Sequence, residues 1–241
     1  MKLTARRLRL TLTAAGLLAM TATAACGGGD DGGDDGGGAS GNLIENGGFE
    51  DGGSPWLGRG GPPEASSTQA KSGGASALLR MRDTIDSPTT QTYSLYQDLV
   101  LDEIPEKLSL DYYVDHWVRG TPRQYIEAAV VVTGEGALLP DCPQGPCPNY
   151  QVRYILSGTT VAPLDVSNAF FIFSGEEEPK QGEWLHFEAN VPDDFAAKWR
   201  GLPDTLESVR LLIDVRFDNR ELEEGPLEAD VYVDDVYFGT P

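Results

Sequence analysis

From Glu207 to Asp218 the chain reads ESVRLLIDVRFD. Val209, Leu211, Ile213, Val215 and Phe217 fall on one side of an extended backbone, and Arg210, Asp214 and Arg216 fall on the other. Side chains alternate across a strand, so such a segment has one apolar face and one polar face. It is stable only as part of a layer whose apolar face is covered. The same period of two recurs along the chain between Gly, Pro and Asp turns, and helical periodicity is nearly absent beyond the N-terminal stretch. Short alternating strands at this spacing imply an all-β fold, a β-sandwich of the jelly-roll type built as a single domain.

The sandwich does not begin at residue 1. Lys2, Arg6, Arg7 and Arg9 precede an apolar run from Leu10 to Ala25, with small residues before Cys26. That is the pattern of a signal peptide over residues 1–25 and not of a membrane span. A cysteine directly after the small-residue cleavage site resembles the lipobox of bacterial lipoproteins, which implies lipidation of Cys26. Thr23 departs from the leucine usual in that motif. The Arg6-Arg7 pair reads as an ordinary basic n-region before it reads as a twin-arginine signal. Residues 27–41, GGGDDGGDDGGGASG, contain too little apolar surface to offset the entropy of ordering, so residues 26–41 form a lipidated cysteine and a tether. The resulting expectation is an exported chain, lipid-anchored to the cell envelope at the outer membrane if the cell has one, otherwise at the outer face of the plasma membrane. By resemblance to known sorting signals, Gly27 after the cysteine argues against inner-membrane retention.

The whole chain carries 18 Lys and Arg against 38 Asp and Glu, a net charge of −20. Without residues 1–25 the balance is 14 to 38, or −24, of which four charges are aspartates of the tether. Nucleic acid and anionic lipid are poor partners for such a chain, and the membrane is met only through the lipid on Cys26. In an exported protein, Cys142 and Cys147 around Pro-Gln-Gly-Pro favour a disulfide-closed loop, since two cysteines alone cannot make a tetrahedral zinc site.

Residues 42–241 form the expected domain. Ala75–Met81, Tyr93–Leu101, Lys107–Val118, Gln124–Thr133, Tyr150–Leu156, Ala169–Phe173 and Glu183–Val191 read as strands, the fifth to be named after a cysteine loop and the sixth a core strand. Asp193–Trp199 has room for one or two helical turns. Asp51–Pro55 and Gly58–Pro63 carry loop chemistry, with Trp56 between them as a core plug. In Lys107–Val118, strict alternation puts Leu108, Leu110, Tyr112, Val114 and His116 inward and Asp111, Tyr113, Asp115 and Trp117 outward.

The two ends carry the least usual chemistry. Asn42-Leu-Ile-Glu-Asn-Gly-Gly-Phe-Glu-Asp51 opens the domain as a short strand, and Val231-Tyr-Val-Asp-Asp-Val-Tyr-Phe238 closes it with two aspartates in mid-strand, where aspartate is depleted. A cation or hydrogen bonds must offset them. We expect the first and last strands to lie together, with calcium where Glu50 and Asp234 converge, because hard divalent cations take carboxylate and carbonyl oxygens. These ends, together with Trp56, Lys71-Ser-Gly-Gly-Ala-Ser-Ala-Leu-Leu79 and the Trp184 strand, resemble the carbohydrate-binding modules of families four, nine and twenty-two, which are galactose-binding-like jelly rolls. The resemblance implies a structural calcium site made by the Gly48 carbonyl, the Glu50 carboxylate, backbone oxygens around Gly73 and Ser76, and Asp234. The middle of this chain is longer than is usual in such modules.

Sugar recognition needs flat apolar faces for the pyranose ring and planar charged groups for its hydroxyls. Tyr113, Asp115 and Trp117 would supply both if their strand neighboured Arg153, Arg210, Asp214 and Arg216. The bland alternative is a solvated charge ladder over buried aromatics. Only His116 and His186 are present, with no G-x-S-x-G, no H-E-x-x-H and no phosphate-cradling glycine loop, so the expectation is a binding protein and not an enzyme. The leading function is non-catalytic binding of a poly- or oligosaccharide at the cell envelope. A structural or adhesive surface lipoprotein making protein contacts on the same scaffold comes second, and a glycosidase or lyase third. The sequence leaves the oligomeric state open.

Overall fold

The computed structural model describes residues 41–83, 90–135, 141–142, 145–146, 149–199, 205–221 and 225–241. The expected signal peptide, Cys26 and the tether lie outside the described residues, and so does Cys147 of the expected disulfide. The strands in chain order are β1 (Leu57–Arg59), β2 (Glu64–Ser66), β3 (Ser76–Asp83), β4 (Gln91–Leu99), β5 (Lys107–Val118), β6 (Gln124–Glu135), β7 (Asp141–Cys142), β8 (Gly145–Pro146), β9 (Tyr150–Ser157), β10 (Ala169–Phe173), β11 (Trp184–Asn190), β12 (Thr205–Phe217) and β13 (Leu227–Gly239), with helix α1 (Val191–Lys198) between β11 and β12.

Two sheets make the sandwich. One has six strands in the order β1-β4-β12-β6-β9-β10, and the other has five in the order β11-β5-β13-β3-β2; β7 and β8 pair as a separate ribbon. Every pairing is antiparallel except β9 with β10. Val209, Leu211, Ile213, Val215 and Phe217 are fully buried against Val231, Val233 and Leu110 of the facing sheet, as the period of two requires. The Tyr112 hydroxyl crosses the core to donate to the Leu156 carbonyl at 3.1 Å. The jelly-roll sandwich expected from alternation is therefore the fold. Helix α1 starts where the Asn190 side chain accepts from Asp193 N, and Phe195 and Trp199 dock it on Tyr150. This docking buries Trp199.

The chain ends meet, in a form different from a paired strand. Asn42 makes one bridge to Gly239, Leu43 N donates to the Phe238 carbonyl, and the Asn42 side chain holds both Val236 O and Phe238 N. Residues 44–55 then turn. Phe49, at φ +59, is buried on Trp56 with ring centroids 5.3 Å apart, so Trp56 is the core plug expected. Gly47 has to be glycine because a Cβ there would lie 2.1 Å from the Val236 carbonyl oxygen, with Val236 N donating to Gly47 O at 3.0 Å.

Two β-bulges overturn part of the strict alternation. On β5, Val114 pairs with Val231 and His116 with Asp230, leaving Asp115 as an extra residue. An inserted residue reverses the parity of everything beyond it. Trp117 consequently turns into the core, and His116, expected inward, points out to Glu228 at 2.8 Å. On β13, Asp235 and Val236 together face Leu110, with Asp235 at φ +50; this second reversal returns Val236 and Phe238 to the core. Strand β10, expected in the core, is the edge of its sheet. Phe170 and Ile172 pack inward while Phe171 and Phe173 stand on the outer face.

Candidate functional site

Cross-strand partners share a face, so the register fixes what lies on the outer surface of the six-stranded sheet. One row runs Leu57, Tyr96, Leu212, Ala129, Arg153 and Phe171, from β1 to β10. The adjacent row runs Arg59, Ser94, Asp214, Glu127, Ile155 and Phe173. On the other side of the first lies Asp98, Arg210, Val131, Gln151 and Ala169. Val131, Thr133 and Ser208 lie along a groove of about 310 Å³ bounded by Tyr96 and Arg210 on one flank and Asn149, Gln151 and Arg153 on the other. Tyr96 and Phe171 are four strand spacings apart, about 19 Å.

The charged groups of this face are clamped in pairs. Arg153, 7% exposed, forks onto Glu127, which is fully buried: Nε to Oε2 is 3.0 Å, and Nη2 bonds Oε1. Its remaining Nη1 donates to Gln151 at 2.6 Å. Arg216 forks onto the buried Asp218 at 3.1 and 2.6 Å, and the Tyr125 hydroxyl donates to the same carboxylate. Arg210 forks onto Asp98 at 2.7 and 2.9 Å while lying 4.2 Å over the Tyr96 ring. Bidentate pairs hold a side chain in one geometry, so the groove presents a fixed pattern of donors and acceptors.

Asp214 is the exception. It is 1% exposed, and its Oδ2 accepts from Thr92 at 3.0 Å, but Oδ1 is buried without a hydrogen-bond partner among the described residues. Burial, followed by the charge of the neighbouring Glu127, raises its pKa well above the usual carboxylate value, and Arg216 and Arg153 offset only part of this. Burial and Glu127 likewise push the Tyr125 phenol up.

The structure brings Arg153, Arg210, Asp214 and Arg216 together and leaves Tyr113, Asp115 and Trp117 on the other sheet. Tyr113 lies on the outer face of β5 between Trp184 at 5.6 Å and Tyr232 at 6.3 Å; Asp115 is exposed at its bulge; Trp117 is in the core. The seven residues are therefore not one constellation. Glu127, Tyr96, Arg59 and Phe171 belong to the face and were not singled out in the sequence. An acid at 127 in an otherwise apolar run was the one signal available.

Of the residues expected to hold calcium, Glu50 and Asp234 both bond the loop 69–76. Asp234, wholly buried, accepts from Lys71 N at 2.8 Å and Ser72 N at 3.2 Å on one oxygen and from Asp235 N at 2.8 Å on the other. Glu50 Oε1 accepts from Gly74 N at 2.9 Å and Ala75 N at 3.0 Å. Gly73 sits at φ +57, where a Cβ would lie 2.2 Å from Glu50 Oε1; the Ser76 hydroxyl donates to Gln69 O at 2.6 Å. A Cβ on Gly48 would come 3.9 Å from Asp234 Oδ1. Burial pushes the Asp234 carboxyl up to about 6 against the pull of those three amides. Carboxylates are hard oxygen donors of the kind calcium takes, but the groups set against these two are backbone amides, which already occupy three of their four oxygens. No cluster of three or more His, Cys, Asp or Glu suited to a metal occurs among the described residues.

Fold and groove together define a two-sheet β-sandwich with a polar groove on one outer face. No protein-family model matches the chain, and no curated protein matches it in sequence. Among solved structures its neighbours include several carbohydrate-binding modules, and also a bacteriophage tailspike protein and an adhesin domain. One is a family 61 module in complex with β-1,4-galactotriose, at 14% identity and a TM-score of 0.40, covering 82% of this chain and 97% of that one. Another is the C-terminal family 22 module of Clostridium thermocellum Xyn10B, at 14% identity and 0.43, covering 83% and 95%. A third is a family 28 module specific for non-crystalline cellulose, at 17% identity and 0.41, covering 83% and 95%.

Proposed function

We propose that the chain is a lipid-anchored surface protein that binds a poly- or oligosaccharide, without catalysis, in the groove of the six-stranded sheet. The observation that carries this reading is Asp214: a buried carboxyl lining an open groove, with one oxygen lacking a hydrogen-bond donor among the described residues, beside arginines already locked in place. A buried polar atom costs free energy unless something bonds it, and a sugar hydroxyl has both the donor and the acceptor to do so. Tyr96 and, across the sheet, Phe171 offer rings for pyranose C–H faces, while Gln151 and Arg153 address hydroxyls. Affinity electrophoresis of the full chain against a polysaccharide panel, with Tyr96→Ala alongside, tests it. Retardation of the wild type that Tyr96→Ala weakens is expected, and no retardation by any polymer overturns the reading.

Glu50 and Asp234, with carbonyls of Gly48, Gly73 and Ser76, would hold a structural calcium that ties the chain ends to the loop 69–76. Cys26 would carry the lipid, and Cys142 would close a loop with Cys147. Loss of membrane partitioning in Cys26→Ser, and a mass change on alkylation only after reduction, are the expected results. A second reading, protein contacts on the same scaffold, is favoured by the burial of Trp56, Trp117 and Trp199, which leaves Trp184 alone among the tryptophans partly exposed. Binding to a partner protein that survives Tyr96→Ala, with no glycan retained, would establish it.

A further inference from the structure

The pairing scheme of the groove leaves one charge over. Arg153 is matched by Glu127, Arg216 by Asp218 and Arg210 by Asp98. Asp214 lies beside Glu127 as its cross-strand partner at 1% exposure, and two adjoining carboxyls at that depth do not both ionise. The fourth arginine, Arg59, stands on β1 opposite Ser94, exposed, with no ion pair or hydrogen bond among the described residues. It lines both this groove and a neighbouring pocket of about 450 Å³ whose wall includes Arg80 and Arg82. In a chain with twice as many acids as bases, a polar groove with an unmatched guanidinium at its mouth runs against the composition. A neutral sugar would use it only for hydrogen bonds to hydroxyls and would leave its charge unbalanced. A guanidinium fork matches a planar carboxylate, and a single uncompensated charge balances one anionic group and not a more highly charged one, which Asp98 and Glu127 would repel.

Resting on the saccharide reading above, we propose that the ligand is an acidic glycan whose sugars bear carboxylates, and that Arg59 receives one of them at the β1 mouth of the groove. The repulsion of a strongly acidic domain then acts against all anionic polymers alike, and Arg59 provides the local exception.

The test is affinity electrophoresis of the full chain through gels containing polygalacturonate, alginate or glucuronoxylan, and through the same polymers after reduction of their carboxyls to hydroxymethyl groups. At least one acidic polymer should bind about tenfold more tightly than its reduced form, and Arg59→Gln should remove that preference while leaving weak binding to the reduced polymer. Arg59 is exposed, so the variant keeps its fold, which a melting curve checks. Equal retention by acidic and reduced polymers overturns the inference and leaves the saccharide reading standing. Retention by no polymer, acidic or neutral, overturns both. An acid preference that survives Arg59→Gln overturns the assignment to this residue.

Discussion

Glu127 and Asp214 face each other as cross-strand partners of β6 and β12, two buried carboxyls of which only Glu127 has an arginine of its own. Their surroundings are unequal: Glu127 is paired with Arg153 and approached by Arg216 at 3.7 Å, whereas burial and the neighbouring Glu127 raise the pKa of Asp214 well above the usual carboxylate value.

An acid whose folded pKa is raised contributes stability fully present below its unfolded pKa and lost as pH rises toward the folded value, because the native state then holds a proton the unfolded chain has released. For Asp214 the window opens at the ordinary value of 3.8 and extends upward. Asp214→Asn cannot ionise, and its amide can donate toward Glu127 in place of the carboxyl proton. The variant should therefore show a higher urea midpoint than wild type at neutral pH, with the gap closing as pH falls toward 4. A gap that is constant across pH would mean that Asp214 does not titrate as described.

Binding and stability should separate between two aromatic residues. Tyr96 is half-buried at the groove, and Tyr96→Ala should weaken glycan retention about tenfold while changing stability by no more than about 0.5 kcal/mol. Trp117 is 8% exposed in the core, and Trp117→Ala should cost about 3–5 kcal/mol through the cavity it leaves. Denaturation curves of both, set beside their gel retardation, check the split; a stable Trp117→Ala that loses only binding would contradict the bulge at Asp115.

That bulge marks the limit of what the sequence disclosed. Alternation in residues 207–218 was enough to place Arg210, Asp214 and Arg216 on one solvent face, because β12 is regularly paired there. It failed for Trp117 because an extra residue such as Asp115 is created by the partner strand, 115 positions away at Asp230 and Val231, and leaves no local mark. The same holds for β10: AFFIF has core composition, and only its place at the sheet edge turns Phe171 and Phe173 outward. That the two ends lie together was expected from the acids Glu50 and Asp234; the contacts that join residues 42–47 to 236–239, through Asn42 and Gly47, were not, and a turn held by side chains replaces the expected strand.

If calcium binds at Glu50 and Asp234, it does so in the native state alone and adds to stability by mass action, about 2.7 kcal/mol at a hundredfold excess over Kd. Chelator should lower the Tm of the full chain, added calcium should restore it, and Asp234→Ala should melt at the same temperature with or without chelator. A wild-type melting curve indifferent to chelator would mean that the five backbone amides of Lys71, Ser72, Gly74, Ala75 and Asp235 are enough to hold the two acids.

Two glycines a few residues apart separate close packing from backbone conformation at the chain-end junction. At Gly47 a Cβ would meet the Val236 carbonyl at 2.1 Å, a backbone atom that cannot swing aside without breaking the Val236 N to Gly47 O bond. At Gly52 there is nothing within 4 Å, but φ is +80, a region L-residues rarely occupy. Gly52→Ala should therefore cost about 1 kcal/mol, the penalty of the left-handed backbone alone. Gly47→Ala should cost about 3 kcal/mol, because β13 and the turn must separate. Hydrogen exchange at Val236, Phe238 and Leu43 should accelerate in Gly47→Ala and stay at the wild-type rate in Gly52→Ala. Equal costs for the two, or protected amides in Gly47→Ala, would show that the junction of the two ends does not depend on that contact.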